Sequence, residues 1–360
     1  MKEERPPVDF VWLITGIVMG AFLVFYCGIV KGADLDPKAK AAVEAGRALF
    51  YDTRCSIDNS TSCGSCHDPK YGGTDGRALA LGRVNGFVQG RQLTGGDGII
   101  GDKRSSPIIN EALEGVYRSD AKFWDKRALN AIDQAIQPMS NPKEMGQQTA
   151  EQVAARLNQI AGYRSLMQAA FGSPEVTPER MRAAIVAFEK VEWTATVTPL
   201  SKYLAGDKDA LDAKQARGAE VFRKNCNNCH PSPLFTDGLA ANDGYGYRFD
   251  PEDPGLAKTT GNQSDLRKYK KPGLIDLYKR GHYGHNGAFD SIKDYLKQYQ
   301  ARGGFRLQPN GPVYADPLID KRVNAIKLTD DDVADLEAVL VYGTVPYTPV
   351  TAKPPKEFPR

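Results

Sequence analysis

Hydrophobic and polar positions recur along much of the chain with the three-to-four-residue spacing of amphipathic helices. The spacing is clear over Ala39–Phe50, which follows Asp36-Pro37, a favourable helix start. Thr329 and the three aspartates after it predict a second well-capped start. No long strand is predicted, so the fold class is mainly α. Further helices are predicted over residues 129–136, 150–160, 163–171, 178–193, 291–299 and 329–340.

The helical pattern is interrupted by segments that are predicted to be loops and connections. Residues 70–101 are rich in glycine and lack periodicity, and residues 237–266 are similar. Residues 200–212 read as a charged connection. Residues 346–360 contain five prolines, so this tail is predicted to be extended and not helical.

The N-terminal segment 1–33 differs from the rest because residues 10–30 carry no charge. A stretch of about 20 apolar residues spans a bilayer as a helix. We therefore predict an N-terminal transmembrane helix that anchors the protein in the bacterial inner membrane, since Lys31-Gly32-Ala33 is a poor signal-cleavage site. The alternative is an export signal whose removal leaves a soluble periplasmic protein. In either case the rest of the chain is periplasmic.

Length and charge restrict the function only broadly. The 360 residues fit two domains with sizeable cores. Lys and Arg number 47 against 44 Asp and Glu, and a net charge of +3 gives no support for nucleic-acid binding. Of the six cysteines, Cys27 and Cys55 lie outside the motifs described next, so a disulfide framework is not predicted.

Two copies of Cys-x-x-Cys-His, at residues 63–67 and 226–230, carry the main chemical signal. This spacing is the attachment signature of a c-type haem, in which both cysteines form thioethers and the histidine ligates iron. A redox Cys-x-x-Cys pair or half of a zinc site is the alternative for either copy. Because both copies end in His, in a chain with four His in all, we predict two covalently bound c-type haems. Cys63, Cys66 and His67 bind the first haem, and Cys226, Cys229 and His230 bind the second.

The surroundings of the two motifs also repeat. Gly46-Arg47-Ala48-Leu49-Phe50 corresponds to Gly218-Ala219-Glu220-Val221-Phe222 upstream of the motifs. Thr74-Asp75-Gly76 corresponds to Thr236-Asp237-Gly238 downstream. We therefore predict two cytochrome c-like domains, at residues 34–200 and 201–345, each a helix leading into a haem-binding turn.

The axial position of each haem iron on the side opposite the histidine determines whether that haem reacts with a substrate or only transfers electrons. An open position binds peroxide, whereas a filled one favours electron transfer. No Met follows Met181, so the second haem takes no methionine from its own domain. Its candidate ligands are His282, Tyr283, His285 and Tyr299.

Several separated segments, in the same order, resemble the dihaem cytochrome c peroxidase family and its MauG-like members. They include Phe123-Trp124-Asp125-Lys126-Arg127, Asn141-Pro142-Lys143-Glu144-Met145 and Tyr283-Gly284-His285-Asn286-Gly287. The resemblance implies that His67 is the proximal ligand of the peroxide-reacting haem, with Gln134 and Glu144 on its open side. It places Trp124 between the two haems. It also implies that His230 and Tyr299 are the axial ligands of the second haem, since MauG-like members have Tyr at that position.

The sequence departs from the family at two places. No His lies between His67 and His230, so the histidine that blocks the peroxide site in other members is missing, and we expect a permanently open site. The family's calcium ligands correspond to Ser105, Arg280 and His282. An arginine beside the ion is unfavourable, so calcium is a doubtful cofactor here.

The resemblance implies a periplasmic enzyme that reduces hydrogen peroxide with electrons from a protein donor, either a small cytochrome c or a copper protein. A carboxylate such as Glu144 can move the proton that this reaction requires. One alternative is MauG-type oxidative maturation of side chains in a partner protein. Another is a non-enzymatic dihaem electron carrier with both irons six-coordinate.

Overall fold

Helices supply most of the regular structure. Pro37–Arg360 form one compact unit. The predicted membrane helix at residues 10–30 lies outside the described part of the chain, and no described helix has the length and apolar character needed to cross a bilayer. The computed structural model describes residues 35–83, 86–88, 91–93, 99–113, 115, 117–300, 305–306, 313–314 and 316–360.

The first half of the chain follows the predicted helical pattern closely. Its first helix begins at Pro37, as predicted, but ends at Tyr51, before the first haem motif begins at Cys63. Thr149 and Thr177 cap the starts of two later helices through their side chains. The helices are α1 (Pro37–Tyr51), α2 (Cys63–Cys66), α3 (Ala131–Gln134), α4 (Gln137–Ser140), α5 (Ala150–Asn158), α6 (Ala161–Phe171) and α7 (Pro178–Glu192).

The second half has two 13-residue helices, one near its beginning and one near its end, and its other helices are shorter. Asp212 and Thr329 each form a capping box, which confirms the predicted start after Thr329. The helices are α8 (Pro199–Leu204), α9 (Ala213–Asn225), α10 (Gly246–Phe249), α11 (Ala257–Thr260), α12 (Ile292–Gln300), α13 (Lys321–Asn324) and α14 (Asp330–Tyr342).

The strands within the described residues are two or three residues long and form separate antiparallel pairs. The absence of long strands there agrees with the predicted class. The pairs are β1 (Gly86–Val88) with β2 (Arg91–Leu93), β3 (Ala240–Ala241) with β4 (Tyr269–Lys270), and β5 (Phe305–Arg306) with β6 (Val313–Tyr314).

Four predicted segments were wrong. Residues 200–212 are not simply a connection, because Thr198 caps α8 and Pro199 occupies its first position. The helix predicted over 129–136 is reduced to α3, at Ala131–Gln134, and α4 begins beyond the predicted range with Pro138 in its first turn. The predicted loop at 70–101 contains the β1–β2 hairpin, and the predicted loop at 237–266 contains α10 and α11.

The repeat in the sequence corresponds to a repeat in packing. α1 packs against α7 so closely that a Cβ on Gly46 would lie 1.9 Å from the carbonyl oxygen of Ala184. α9 packs against α14 in the same way, and a Cβ on Gly218 would lie 2.0 Å from the carbonyl oxygen of Asp335. Only glycine permits such close helix contact. The two repeated glycines therefore hold the same position in two related helix pairs.

The proline-rich tail has no helix and runs along the first half of the chain. Arg54 donates from Nη2 to the carbonyl of Pro359 at 2.9 Å, and the amide of Gly162 donates to the carbonyl of Arg360 at 2.7 Å. Arg47 donates to the carbonyl of Lys353 at 3.2 Å. The tail thus ties the end of the chain to α1 and α6.

Candidate haem sites

The first Cys-x-x-Cys-His motif forms a single helical turn that points its histidine into a cleft. The amide of His67 donates to the carbonyl of Cys63 at 3.0 Å and closes this turn. Nδ1 of His67 lies 3.0 Å from the carbonyl oxygen of Gly73. Because a carbonyl only accepts hydrogen bonds, Nδ1 carries the proton and Nε2 keeps its lone pair. Burial lowers the pKa of His67, which favours the neutral, metal-binding imidazole.

The second motif repeats this arrangement. The amide of His230 donates to the carbonyl of Cys226 at 2.9 Å. Nδ1 of His230 lies 2.7 Å from the carbonyl oxygen of Phe235, so Nε2 is again the free nitrogen. Burial lowers the pKa of His230 to about 4. A backbone carbonyl that fixes the ring of a metal-binding histidine is the usual outer partner of such a ligand.

The cysteines of the two motifs form no disulfide within the described residues. Burial raises the pKa of Cys66 and of Cys226 to about 12. A reactive redox dithiol needs a lowered thiol pKa, so these surroundings argue against that alternative interpretation. Thioether attachment has no such requirement.

A cavity of about 530 Å³ adjoins the first motif. This volume lies within the range of cofactor sites. Its wall contains Cys66 and His67 together with Trp124, Gln134 and Glu144, so the structure brings the predicted residues of the first site into one place.

Glu144 is held in this wall by its neighbours. Asn141 donates from Nδ2 to Oε1 of Glu144 at 2.6 Å. Burial raises the pKa of Glu144, while the charge of Arg127 and the Asn141 hydrogen bond partly oppose the rise. A carboxyl group with a raised pKa is suited to accepting and returning a proton near neutral pH.

A second cavity, of about 370 Å³, adjoins the second motif. Cys226, Cys229, His230 and Tyr299 all line it. Tyr299 lies on α12, and its ring is 5.8 Å from that of Tyr295, measured between centroids.

Two other candidate ligands of the second haem, both histidines, form contacts through Nδ1. His285 is fully buried, with Nδ1 2.6 Å from the hydroxyl of Tyr245 and its ring stacked on Tyr269. His282 is paired through Nδ1 with Asp290 at 2.9 Å. Tyr283 also lines the cavity, and its hydroxyl is 3.5 Å from the carbonyl of Leu277.

The two cavities share a wall. Trp124 lies in it, and its indole N–H donates to the carbonyl of Arg104 at 3.0 Å. The amide of Lys270 donates to the carbonyl of Trp124 at 2.8 Å. The residues that line both cavities are Arg104, Pro107, Trp124, Lys270 and Pro272.

The chemistry of the cavity walls fits a haem. Nε of Arg104 and Nε of Arg280 are buried and lack hydrogen-bond partners within the described structure. Burial lowers the pKa of Arg104 to about 10 and that of Arg280 to about 9. Buried cations require an anionic partner. The carboxylate side chains of a haem supply one, so both the free imidazole nitrogens and these arginines suit the group.

The positions that correspond to calcium ligands make other contacts. The carbonyl of Arg280 accepts from Nη2 of Arg104 at 3.1 Å. The hydroxyl of Ser105 donates to the carbonyl of Cys66 at 2.6 Å. A guanidinium group thus lies beside one of the carbonyls that calcium would use.

Comparison with known proteins agrees with this geometry. The family model of the di-haem cytochrome c peroxidases matches residues 40–209. Cytochrome c551 peroxidase of Nitrosomonas europaea is 32% identical over 269 residues, which are 72% of this chain and 73% of that protein. The chain belongs to the di-haem cytochrome c peroxidase family.

Within this family of peroxide-reducing oxidoreductases, similarity extends to MauG-like members. The methylamine utilization protein MauG of Methylophilus methylotrophus is 29% identical over 262 residues, 71% of each chain. The crystal structure of a MauG-like protein associated with microbial copper homeostasis matches with a TM-score of 0.71 at 23% identity. That match covers 87% of this chain and 91% of the other, and it shows the shared fold.

Sequence reasoning missed several residues of the di-haem site. Arg104 does not belong to a recognisable sequence motif, because it joins the site only where the fold brings segments that are distant in sequence together. Asn141 was visible as part of an Asn-Pro turn three residues before Glu144. Glu189 lies next to Phe188 on the buried face of α7 and lines the first cavity. A carboxylate on an apolar helix face was the signal that could have revealed it.

Proposed function

We propose that this chain is a periplasmic di-haem peroxidase that reduces hydrogen peroxide with electrons from a protein donor. The observation that carries the proposal is the shared wall: two cavities, each starting from a Cys-x-x-Cys-His turn, are separated by Trp124. Family membership supports the same reaction class.

The first cavity is the proposed site of peroxide reduction. Cys63, Cys66 and His67 would hold a haem there, and when bound it supplies the iron at which peroxide binds and is reduced. Glu144 accepts the proton of the bound peroxide and returns it to the departing oxygen. Gln134 lines the same cavity and can hydrogen-bond the peroxide oxygens through its side-chain amide.

The second cavity is the proposed relay site. Cys226, Cys229 and His230 would hold the second haem, with Tyr299 as its opposite axial ligand. Burial raises the pKa of the Tyr299 phenol. The positive charge of a ligated metal offsets this cost and favours the phenolate. Trp124, in the wall between the cavities, carries charge from one to the other.

The electron source distinguishes two versions of this function. In the peroxidase version a small cytochrome c or a copper protein donates the electrons. In the MauG-like version the electrons come from side chains of a partner protein, which are thereby modified. Tyr299 in the second cavity and the similarity to MauG support the second version as the alternative to the first. Incubation with peroxide and each type of partner, followed by mass spectrometry of the partner, separates the two.

The location of the enzyme follows from the same proposal. Family members are periplasmic cytochromes, and residues 10–30 are the proposed membrane anchor because they carry no charge. Extraction of membranes with sodium carbonate tests the anchor. Retention of the protein in the pellet supports it, whereas release, with an N-terminus near Asp34, supports a cleaved export signal.

Rapid mixing of the fully oxidised, haem-loaded protein with hydrogen peroxide tests the proposed reaction. Because no His lies between His67 and His230, we expect peroxide consumption without prior reduction. The ferric protein should also show a high-spin component from the open site. Wholly low-spin iron that is inert to peroxide would support an electron carrier and overturn the proposal.

A further inference from the structure

A cluster outside the proposed reaction path combines two carboxylates with a buried imidazole. Nε2 of His285 lies 3.4 Å from Oδ2 of Asp250 and 3.7 Å from Oδ2 of Asp253. One ligand atom from each of the three residues lies within 4.8 Å of the others. Donor atoms around a tetrahedral Zn²⁺ with bonds of about 2.0 Å lie roughly 3.3 Å apart. The cluster is therefore close to the spacing that a small cation requires.

The imidazole is fixed with its free nitrogen toward the carboxylates. The side chain of His285 is fully buried, and Nε2 forms no hydrogen bond in the part of the chain that the structure describes. Its ring stacks on Tyr269 with centroids 3.5 Å apart and planes inclined by 14°. Nδ1 lies 2.6 Å from the hydroxyl of Tyr245, which also accepts the His285 amide at 2.5 Å. A hydrogen-bonding partner on the second ring nitrogen is typical of metal-binding histidines.

The carboxylates are positioned by a short turn after α10. The amide of Asp250 closes α10 by donating to Gly246, and the amide of Asp253 donates to the carbonyl of Asp250 at 3.2 Å. Oδ1 of Asp253 accepts the amide of Gly255 at 3.0 Å. Oδ2 of Asp253 is thereby left facing the imidazole and the ammonium group of Lys103, 2.7 Å away.

The charge balance of the cluster favours a divalent cation. Two carboxylates and one ammonium group leave a net negative charge beside Nε2 of His285, which has no hydrogen-bond partner among the described residues. Lys103 neutralises only the carboxylate of Asp253. Among the described residues it forms no ion pair with Asp250 or His285. A cation bound here would compete with Lys103 for Asp253.

We infer that Asp250, Asp253 and His285 form a binding site for a divalent first-row metal ion, with Zn²⁺ as the probe of choice. Mixed imidazole and carboxylate ligation suits Zn²⁺, whereas Ca²⁺ takes oxygen ligands. The site is separate from the two haem-binding motifs, although His285 also forms part of the wall of the second cavity.

Calorimetric titration of the haem-loaded, chelator-treated protein with ZnCl₂ tests this site. We expect one saturable Zn²⁺ site that Ca²⁺ occupies more weakly. Asp250→Asn should weaken Zn²⁺ binding at least about tenfold, because even changes outside the ligand shell cost 10–100-fold. Lys103→Gln should tighten Zn²⁺ binding, since it removes the competing cation, and a variant that has lost its fold cannot produce this result.

Asp290→Asn is the matched control because Asp290 pairs with the other non-haem histidine, His282. Zn²⁺ affinity should be unchanged in this variant. The inference is overturned by the absence of a Zn²⁺ site, by equal affinity in wild type and Asp250→Asn, or by loss of binding in Asp290→Asn. These readouts do not involve peroxide turnover, so they stand apart from the test of the proposed function.

Discussion

The indole N–H of Trp124 donates to the backbone carbonyl of Arg104 at 3.0 Å, and both residues line both haem cavities. This hydrogen bond fixes the aromatic ring in the wall that separates the two sites. Trp124 is therefore an aromatic residue that lines both cavities and is held by hydrogen bonds to two segments of the backbone.

Trp124→Phe should slow the transfer of charge between the sites while leaving peroxide binding in place. Phenylalanine keeps much of the packing surface but loses the N–H and is harder to oxidise. Stopped-flow absorbance of the second haem after mixing with peroxide measures the effect. Trp193→Phe is the control, because Trp193 is buried in the core and lines neither cavity. Equal rates in wild type and Trp124→Phe would exclude the relay role.

Glu144→Gln should reduce peroxide turnover about a hundredfold or more, because the amide cannot accept the peroxide proton. The group acts as a base only when ionised, and its raised pKa moves this ionisation above the usual carboxyl range. The wild-type rate should therefore fall on acidification at a higher pH than an ordinary glutamate would produce. The pH profile of the peroxide reaction measures both effects, with the exposed Glu151→Gln as control. An unchanged rate in Glu144→Gln would remove this residue from the mechanism.

Tyr299→Phe should change the absorption and magnetic resonance spectra of the second haem, because the variant lacks the phenol oxygen. Tyr295→Phe is a suitable control, since Tyr295 is on the same helix and donates to Asp243 at 2.5 Å. It should leave the iron ligation intact. Identical spectra for Tyr299→Phe and wild type would return the ligand role to His282, Tyr283 or His285.

Gly218→Ala should destabilise the protein by about 1–3 kcal/mol, the usual penalty for overpacking. The added Cβ would lie 2.0 Å from the carbonyl oxygen of Asp335, so α9 and α14 must move apart. Urea unfolding measures the change, and Lys214→Ala, on the exposed side of α9, provides the control. An alanine variant as stable as wild type would show that the helices can separate without loss.

In the wild-type protein, folding stability should fall as pH rises, and Glu189→Gln should weaken this pH dependence. Burial raises the pKa of Glu189 from 4.5 to about 8, and the side chain is only 8% exposed. Between these values the unfolded chain releases the proton while the folded chain retains it, so folding stability falls as pH increases. The slope is at most about 1.4 kcal/mol per pH unit.

Urea unfolding from pH 5 to about pH 8 measures this slope, with the exposed Glu252→Gln as control. Glu189→Gln should flatten the dependence, and the control should retain it. A slope that is the same in all three proteins would show that Glu189 does not hold its proton in the folded state.

The haem turns and the long helices were predictable because their signals are local. Two cysteines and a histidine must lie within one turn to hold a porphyrin, and the apolar spacing of α1, α7 and α14 is that of a helix. The capping box at Thr329 was readable for the same reason. The repeated glycines, Gly46 and Gly218, indicated two related units. They did not indicate the close contacts of α1 with α7 and of α9 with α14 that require glycine.

The shared wall could not be predicted from local patterns. Arg104, Trp124 and Lys270 come from segments separated by up to 166 positions in the numbering, and only the folded chain brings them together. The placement of Trp124, Gln134 and Glu144 came from family resemblance, since their spacing alone does not imply a common cavity. The partner of Glu144, Asn141, emerged only from side-chain geometry.

The tail contacts have a consequence for the cooperativity of folding. Residues 353–360 supply carbonyl acceptors to Arg47, Arg54 and the amide of Gly162. Arg47 and Lys353 are 306 positions apart in the numbering. Disturbing the tail therefore removes acceptors from side chains of α1 and of the segment that follows it, although these residues are remote in sequence.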